Sequence, residues 1–159
     1  MKTYKLKTGY QMPVFGLGTW ELTGKLCQEI VRRAIELGYR HIDTAELYSN
    51  EQHVGKGIQG FDRDKLFIVS KVKPENFTEK GVRKSCKRSL RKLKTDYLDL
   101  YLLHWPNDSI PLEETMSAMA ELVEDGRIRS LGVSNFDISR VEKAIQASEV
   151  PVCVNQVEC

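Results

Sequence analysis

Several common signatures are missing from this sequence, and each absence removes a class of function. Residues 1–15 contain no apolar core of a secretory signal, so no export is expected. No stretch approaches the roughly 18 apolar residues that a membrane span requires. The four cysteines (Cys27, Cys86, Cys153 and Cys159) show no C-x-x-C spacing. They read as small buried hydrophobes in a reduced, cytoplasmic setting, and no metal site is expected. Charge of one sign is also lacking. Against 24 Lys and Arg stand 22 Asp and Glu, a net charge of +2, which sets up no global field for nucleic acid or an anionic membrane. Gly16-x-Gly18 has no third glycine, because Glu21 occupies that place, so the Rossmann turn is excluded.

What is present is a rhythm. At 159 residues, 41% apolar and 29% charged, the chain is expected to form one domain with a sizeable core. Tyr4–Lys7 and Gln11–Val14 flank a Thr8-Gly9-Tyr10 turn and predict an N-terminal hairpin. Strands are then predicted at Phe15–Thr19, Tyr39–Ile42, Leu66–Lys71, Tyr97–Leu103, Ile128–Val133 and Val152–Gln156. Between them run helical patterns. The first, from a Thr23 cap to Gly38, buries Leu26, Cys27, Ile30, Val31, Ala34 and Ile35. A second starts near Asn50, weakened by Gly55, Gly57 and Gly60. A third follows Thr78. A fourth opens at Pro111 and buries Leu112, Met116, Met119 and Val123, and a fifth starts at Asp137 with Ile138, Val141, Ala144 and Ile145. Five strand–helix alternations with short loops predict βα units and a parallel sheet.

In such sheets the functional groups gather where strands end. Gly18-Thr19-Trp20 follows the first strand of the sheet, Asp43 and Tyr48 the second, and Lys71 closes the third. His104-Trp105 follow the fourth, Ser134-Asn135 the fifth, and Asn155-Gln156 end the sixth. A tyrosine is a poor proton donor at neutral pH, but a nearby ammonium favours the phenolate and eases proton release. Asp43 would hold that ammonium, Lys71, in place. His104 would orient a carbonyl oxygen by hydrogen bonding. Asn135 and Gln156 carry amides suited to a carboxamide such as that of nicotinamide.

These segments together resemble a known family. Asp43-Thr44-Ala45-x-x-Tyr48-x-Asn50-Glu51, Ser70-Lys71, Leu102-Leu103-His104-Trp105-Pro106, Gly132-Val133-Ser134-Asn135-Phe136 and Asn155-Gln156-Val157-Glu158 are similar to the signatures of the aldo-keto reductases. The resemblance implies a (β/α)8 TIM-type barrel whose base is closed by the hairpin, here truncated after its sixth strand. It implies reduction of small aldehydes or ketones with NADPH. Asp43, Tyr48, Lys71 and His104 match the catalytic tetrad, with Tyr48 as proton donor. Gly18, Thr19, Asp43, Ser134, Asn135 and Gln156 match cofactor contacts, and Trp20, Tyr48, His104 and Trp105 line the substrate pocket.

Six strands where the family has eight imply a fragment, expected to need a complementary chain, to self-associate through its open edges, or to fold poorly alone. A catalytically inactive remnant or redox-sensing interaction subunit is the competing expectation. The seven basic residues between Arg83 and Lys94 are read as the solvated face of the third helix, opposite acidic Glu113, Glu114, Glu121, Glu124 and Asp125.

Overall fold

The computed structural model describes residues 2–158. Strands β1 (Thr3–Lys5) and β2 (Gln11–Pro13) form an antiparallel hairpin around Gly9, whose φ of 92° suits a residue without a side chain. Six parallel strands then lie side by side in chain order: β3 (Gly16–Gly18), β4 (His41–Asp43), β5 (Phe67–Val72), β6 (Leu100–Leu103), β7 (Leu131–Ser134) and β8 (Val152–Gln156). Helices α1 (Gly24–Glu36), α2 (Glu51–Gly57), α3 (Glu79–Leu93), α4 (Leu112–Glu124) and α5 (Ile138–Ala147) provide the crossovers.

The two-residue period of a strand divides the core. Ile42, Ile68, Tyr101, Leu103, Leu131 and Val133 pack outward against Val31, Ile35, Val82, Cys86, Leu90, Met116, Met119 and Ala144 of the helices. The alternate residues Phe67, Val69, Leu100 and Leu102 pack inward, where Leu6 of the hairpin turn joins them. Strands β5, β6 and β7 are therefore buried on both faces, which explains the apolar runs Phe67–Val69 of β5 and Leu100–Leu103 of β6.

The sheet is rolled. Asp43 on β4 and Gln156 on β8 stand four strands apart, ~19 Å in a flat sheet at the usual strand spacing. Their side chains nevertheless form a 3.0 Å hydrogen bond. The fold is thus a six-stranded arc of the (β/α) barrel type, with the hairpin under one end.

Boundaries shift by a residue or two from the predicted ones. Asp43 and Ser134 are the last residues of their strands rather than loop residues, and the fourth strand of the sheet starts at Leu100, with Leu98 held by an isolated bridge to Ile128. Thr78 caps α3 through Gly81 N, and Asp137 caps α5 through Arg140 N, whereas Thr23 forms no side-chain cap bond. Gly55 and Gly57 have a packing role. A Cβ at Gly55 would collide with the Lys92 carbonyl of α3, and one at Gly57 would lie 2.8 Å from Val31 of α1.

Some predicted core positions are exposed. Leu26 and Ile138 are 59% and 80% exposed, since α1 and α5 flank the edge strands β3 and β8 and have a helical neighbour on one side only. In α4, Leu122 is buried and Leu112 and Val123 are half-buried. Arg83 of α3 pairs with Glu121 and Asp125 of α4, as the opposed charge pattern implies. Cys27 and Cys86 are free and buried, and Cys153 is half-buried; Cys159 lies outside the described residues. No described helix is long and apolar enough to cross a membrane.

Candidate active site

Inward parity brings polar side chains to one end of the arc. On β5, Phe67 and Val69 face inward and Lys71 follows them, so its ammonium arrives at the rim with 0% exposure. A buried ammonium needs partners for all three N–H groups. Lys71 Nζ donates to Asp43 Oδ1 at 2.5 Å, to the Thr44 carbonyl at 3.1 Å and to the Tyr48 hydroxyl at 3.3 Å. Asp43 Oδ2 accepts from Gln156 Nε2. Burial pulls the Lys71 ammonium below its ordinary pKa, and the Asp43 carboxylate opposes that shift.

Tyr48 ends a single 3₁₀ turn, Glu46–Tyr48, that leaves β4. Ser49, in the left-handed region at φ 55°, reverses the chain into α2. Asn50 fastens this loop: its amide donates to the Thr19 and Leu22 carbonyls, and its Oδ1 accepts from Thr44 Oγ1 at 2.6 Å. The Tyr48 ring meets His104 edge-on with centroids 5.4 Å apart, and Trp20 at 4.9 Å.

The phenol departs from its expected ionisation. Burial, and then the Asp43 carboxylate, push Tyr48 up to about 12. The Lys71 ammonium that reaches the hydroxyl is itself paired with Asp43 at 2.5 Å. His104 is driven down to about 4 by burial and by the Lys71 charge, so it is neutral at pH 7. Its Nδ1 is buried with no hydrogen-bond partner among the described residues. A bare acceptor is less costly to bury than an N–H donor, which assigns the proton to Nε2.

Trp20, Leu47, Tyr48, His104, Trp105, Ser134, Asn135, Gln156, Val157 and Glu158 line a cleft of about 560 Å³ above these groups. The two indoles are its walls, 62% and 51% exposed. Asn135 adopts φ 62°, and its Nδ2 donates to the His104 carbonyl and to Ser134 Oγ. Ser134 Oγ in turn donates to the Gln156 carbonyl. Of the predicted set, Asp43 and Lys71 lie beneath the cleft rather than on its lining, and Gly18 and Thr19 do not line it either. Gly18 pairs in register with Asp43 on the neighbouring strand, and Thr19 is buried, its hydroxyl donating to the Asp43 carbonyl. Sequence reasoning overlooked Asn50 as the fastener of the loop and Glu46 beside it. Their signal was available in part: a buried polar side chain next to a strand end needs a partner.

Comparison with known proteins agrees with this geometry. Residues 14–159 match the profile of the Aldo/keto reductase family. The chain is 44% identical over 159 residues to glyoxal reductase of Bacillus subtilis (strain 168), covering 98% of this chain and 57% of that protein. Among solved structures, the thermostable aldo-keto reductase Tm1743, in complex with the inhibitor epalrestat, superposes with a TM-score of 0.95 at 46% identity. That match covers 100% of this chain and 63% of the other. A Bombyx mori aldo-keto reductase in complex with NADP gives 0.93 at 34% identity, over 99% and 58%. The chain spans 57% of the length of the curated relative it matches. A parallel arc with polar strand ends at one rim, matched by that profile over almost all of its length, makes this chain a member of the aldo/keto reductase family.

Proposed function

We propose that the cleft reduces the carbonyl group of a small aldehyde or ketone to an alcohol, with Tyr48 as the proton donor and a reduced nicotinamide cofactor, NADPH, as the source of hydride. The observation that carries this reading is the direction of the Lys71–Tyr48 hydrogen bond. An ammonium can only donate, so the phenol oxygen accepts from Lys71, and its own hydrogen is free to point into the cleft. A tyrosine packed for structural reasons has no need of such an arrangement.

The chemistry follows from the residues. At neutral pH a phenol raised to about 12 is fully protonated and ready to donate. As hydride reaches the carbonyl carbon, the oxygen becomes an alkoxide, a far stronger base than the phenolate, so transfer from Tyr48 runs downhill. The carbonyl carbon gains the hydride, the oxygen gains the phenolic proton, and water restores the phenol. The developing phenolate keeps its bond from Lys71, now strengthened by charge on both partners. His104, neutral with Nε2–H, donates to the substrate oxygen and fixes its direction. Asp43 holds Lys71, and Trp20 and Trp105 wall the substrate.

The donor set fits a nicotinamide carboxamide. Asn135 Oδ1 and Gln156 Oε1 accept no hydrogen bond from described residues, while the amide nitrogens donate within the protein, to the His104 carbonyl and Ser134 Oγ and to Asp43 Oδ2. Two free carbonyl oxygens on the cleft wall suit a ligand –NH2 group, with the Ser134 hydroxyl alongside. Gly18 and Thr19 stand at the strand end beside Asp43 and contribute backbone there. The glyoxal reductase likeness makes a small dicarbonyl aldehyde the first substrate to try.

The test is reduction of glyoxal followed by loss of NADPH absorbance, with cofactor binding read from Trp20 and Trp105 fluorescence. Tyr48→Phe is expected to lower turnover by about 10² to 10⁴-fold with cofactor affinity unchanged. Turnover by the Tyr48→Phe protein at the parent rate removes Tyr48 as donor.

A further inference from the structure

Glu46 lies two residues before Tyr48, and its carboxylate is buried outside the cleft. Its Oε1 accepts from Arg88 on α3 and from Asn76 Nδ2 at 3.0 Å. Its Oε2 accepts from the Lys73 backbone N–H at 3.3 Å and from the same amide at 3.2 Å. Asn76 and Arg88 also both donate to Ser85 Oγ, at 2.9 and 3.2 Å. A charge taken out of water needs reciprocal partners, and this one is met from two segments, the Lys73–Asn76 loop and α3.

The topology gives those partners a meaning. Lys73 and Asn76 belong to the loop that leaves β5, the strand that carries Lys71. Glu46 opens the turn that carries Tyr48. The carboxylate therefore joins the loop of the phenol to the strand of the ammonium, while Arg88 braces both from the helix behind. Asn50 secures the far end of the same turn. Pinned at both ends, the turn holds the phenol within 3.3 Å of the ammonium, a separation its short backbone alone would not fix.

We infer that Glu46, braced by Arg88 and Asn76, is a positioning residue that sets the distance between the Tyr48 hydroxyl and Lys71. The inference rests on the reading of Tyr48 as proton donor, and it extends the functional unit to groups that touch neither substrate nor cofactor. Arg88 is one-third exposed, so it rehydrates when Glu46 is removed, and Glu46→Ala is expected to fold. Near-attack geometry is sensitive enough that an ångström of misplacement costs on the order of a hundredfold in rate.

The experiment compares Glu46→Ala, Glu46→Gln and, as a control, Arg129→Met, which breaks a buried ion pair to Asp99 away from the cleft. Two readouts are taken on each. The first is the single-turnover reduction rate, with KM and cofactor affinity. The second is ionisation of Tyr48 at about pH 11, by NMR of ring-labelled tyrosine assigned with Tyr48→Phe. In the parent, with the phenol raised to about 12, roughly a tenth is ionised there. For Glu46→Ala the expected rate loss is about 10 to 100-fold, with KM and cofactor affinity within about threefold. Its Tyr48 is expected to be mostly ionised at that pH, having moved away from Asp43 and into solvent. Glu46→Gln retains the acceptor oxygen and should recover most of the rate. Arg129→Met should match the parent in both readouts. A Glu46→Ala protein with parental Tyr48 ionisation overturns the inference, whatever its rate, and so does one with a parental rate. If the parent reduces nothing while Glu46→Ala shifts the ionisation, the positioning stands and the reductase reading falls.

Discussion

Gln156, on the last strand of the sheet, donates 3.0 Å to the Asp43 carboxylate oxygen that Lys71 leaves free. This bond closes the arc across its open interior and completes the ring of partners around the buried ion pair. It also couples sheet curvature to the electrostatics of Tyr48, since Asp43 helps to raise that phenol.

Replacing Gln156 tests that coupling. Gln156→Leu removes one charge-assisted hydrogen bond at a half-buried site, with an expected loss of about 1.5 kcal/mol, the low end for a bond to a charged group. Gln156→Glu should cost more at neutral pH, because a second carboxylate then faces Asp43. Urea unfolding of the three proteins at pH 7 measures this. Equal midpoints throughout would mean that the bond does not hold the arc.

The Lys71–Asp43 pair is the second test. With the ammonium at 0% and the carboxylate at 13% exposure, removing one partner leaves a nearly buried charge. Lys71→Met is expected to lose about 3–5 kcal/mol. The double variant Lys71→Met with Asp43→Asn should be more stable than Lys71→Met alone, since no charge remains to desolvate. Denaturant titrations in a double-mutant cycle give the coupling. Additive losses would show that the two groups are solvated independently.

His104 gives a pH prediction with a definite sign. Its folded pKa of about 4 lies below the ordinary 6.5, so the unfolded chain binds a proton that the folded one refuses. Stability from this group is complete above pH 6.5 and is lost as the pH falls from there to about 4. Between pH 7 and 5 the loss is about 2 kcal/mol at most, reduced by whatever solvent reaches the ring. His41 is lowered in the same direction by burial and remains in a His104→Gln variant. The difference between parent and variant therefore isolates residue 104. An identical pH dependence in both would place its proton affinity near the ordinary value.

Much of this was legible beforehand, for a physical reason. Strand parity and the placement of polar residues at strand ends depend on neighbours in sequence, so Asp43, Lys71, His104, Ser134, Asn135 and Gln156 were placed at strand ends without coordinates. Glu46 was missed, because its partner Arg88 is 42 residues away and belongs to a helix whose basic run looks merely solvated. The rise of the Tyr48 phenol was not legible, because sequence puts a lysine and a carboxylate near it but does not show how deeply the ring is buried. Leu26 and Ile138 show the complementary limit. Apolar spacing marks a face of a helix but not what covers it.

Gly132 provides the last prediction, and it links packing to the cleft at a distance. On β7 its absent side chain lets β8 approach. A Cβ would lie 2.6 Å from the Val154 carbonyl oxygen and 2.8 Å from Leu102 Cδ2. The first is backbone and cannot swing aside, so Gly132→Ala must part the two strands where their register already shifts. The expected cost is about 1–3 kcal/mol. Two residues on, Ser134 Oγ and the Asn135 N–H both donate to the Gln156 carbonyl, at 3.0 and 2.9 Å. Spreading the strands pulls these contacts apart, so cofactor affinity should fall with stability even though Gly132 touches no ligand. Urea midpoints and fluorescence titration with NADPH read the two effects. If Gly132→Ala behaves like the parent, the close approach of β7 and β8 is not what shapes this wall of the cleft.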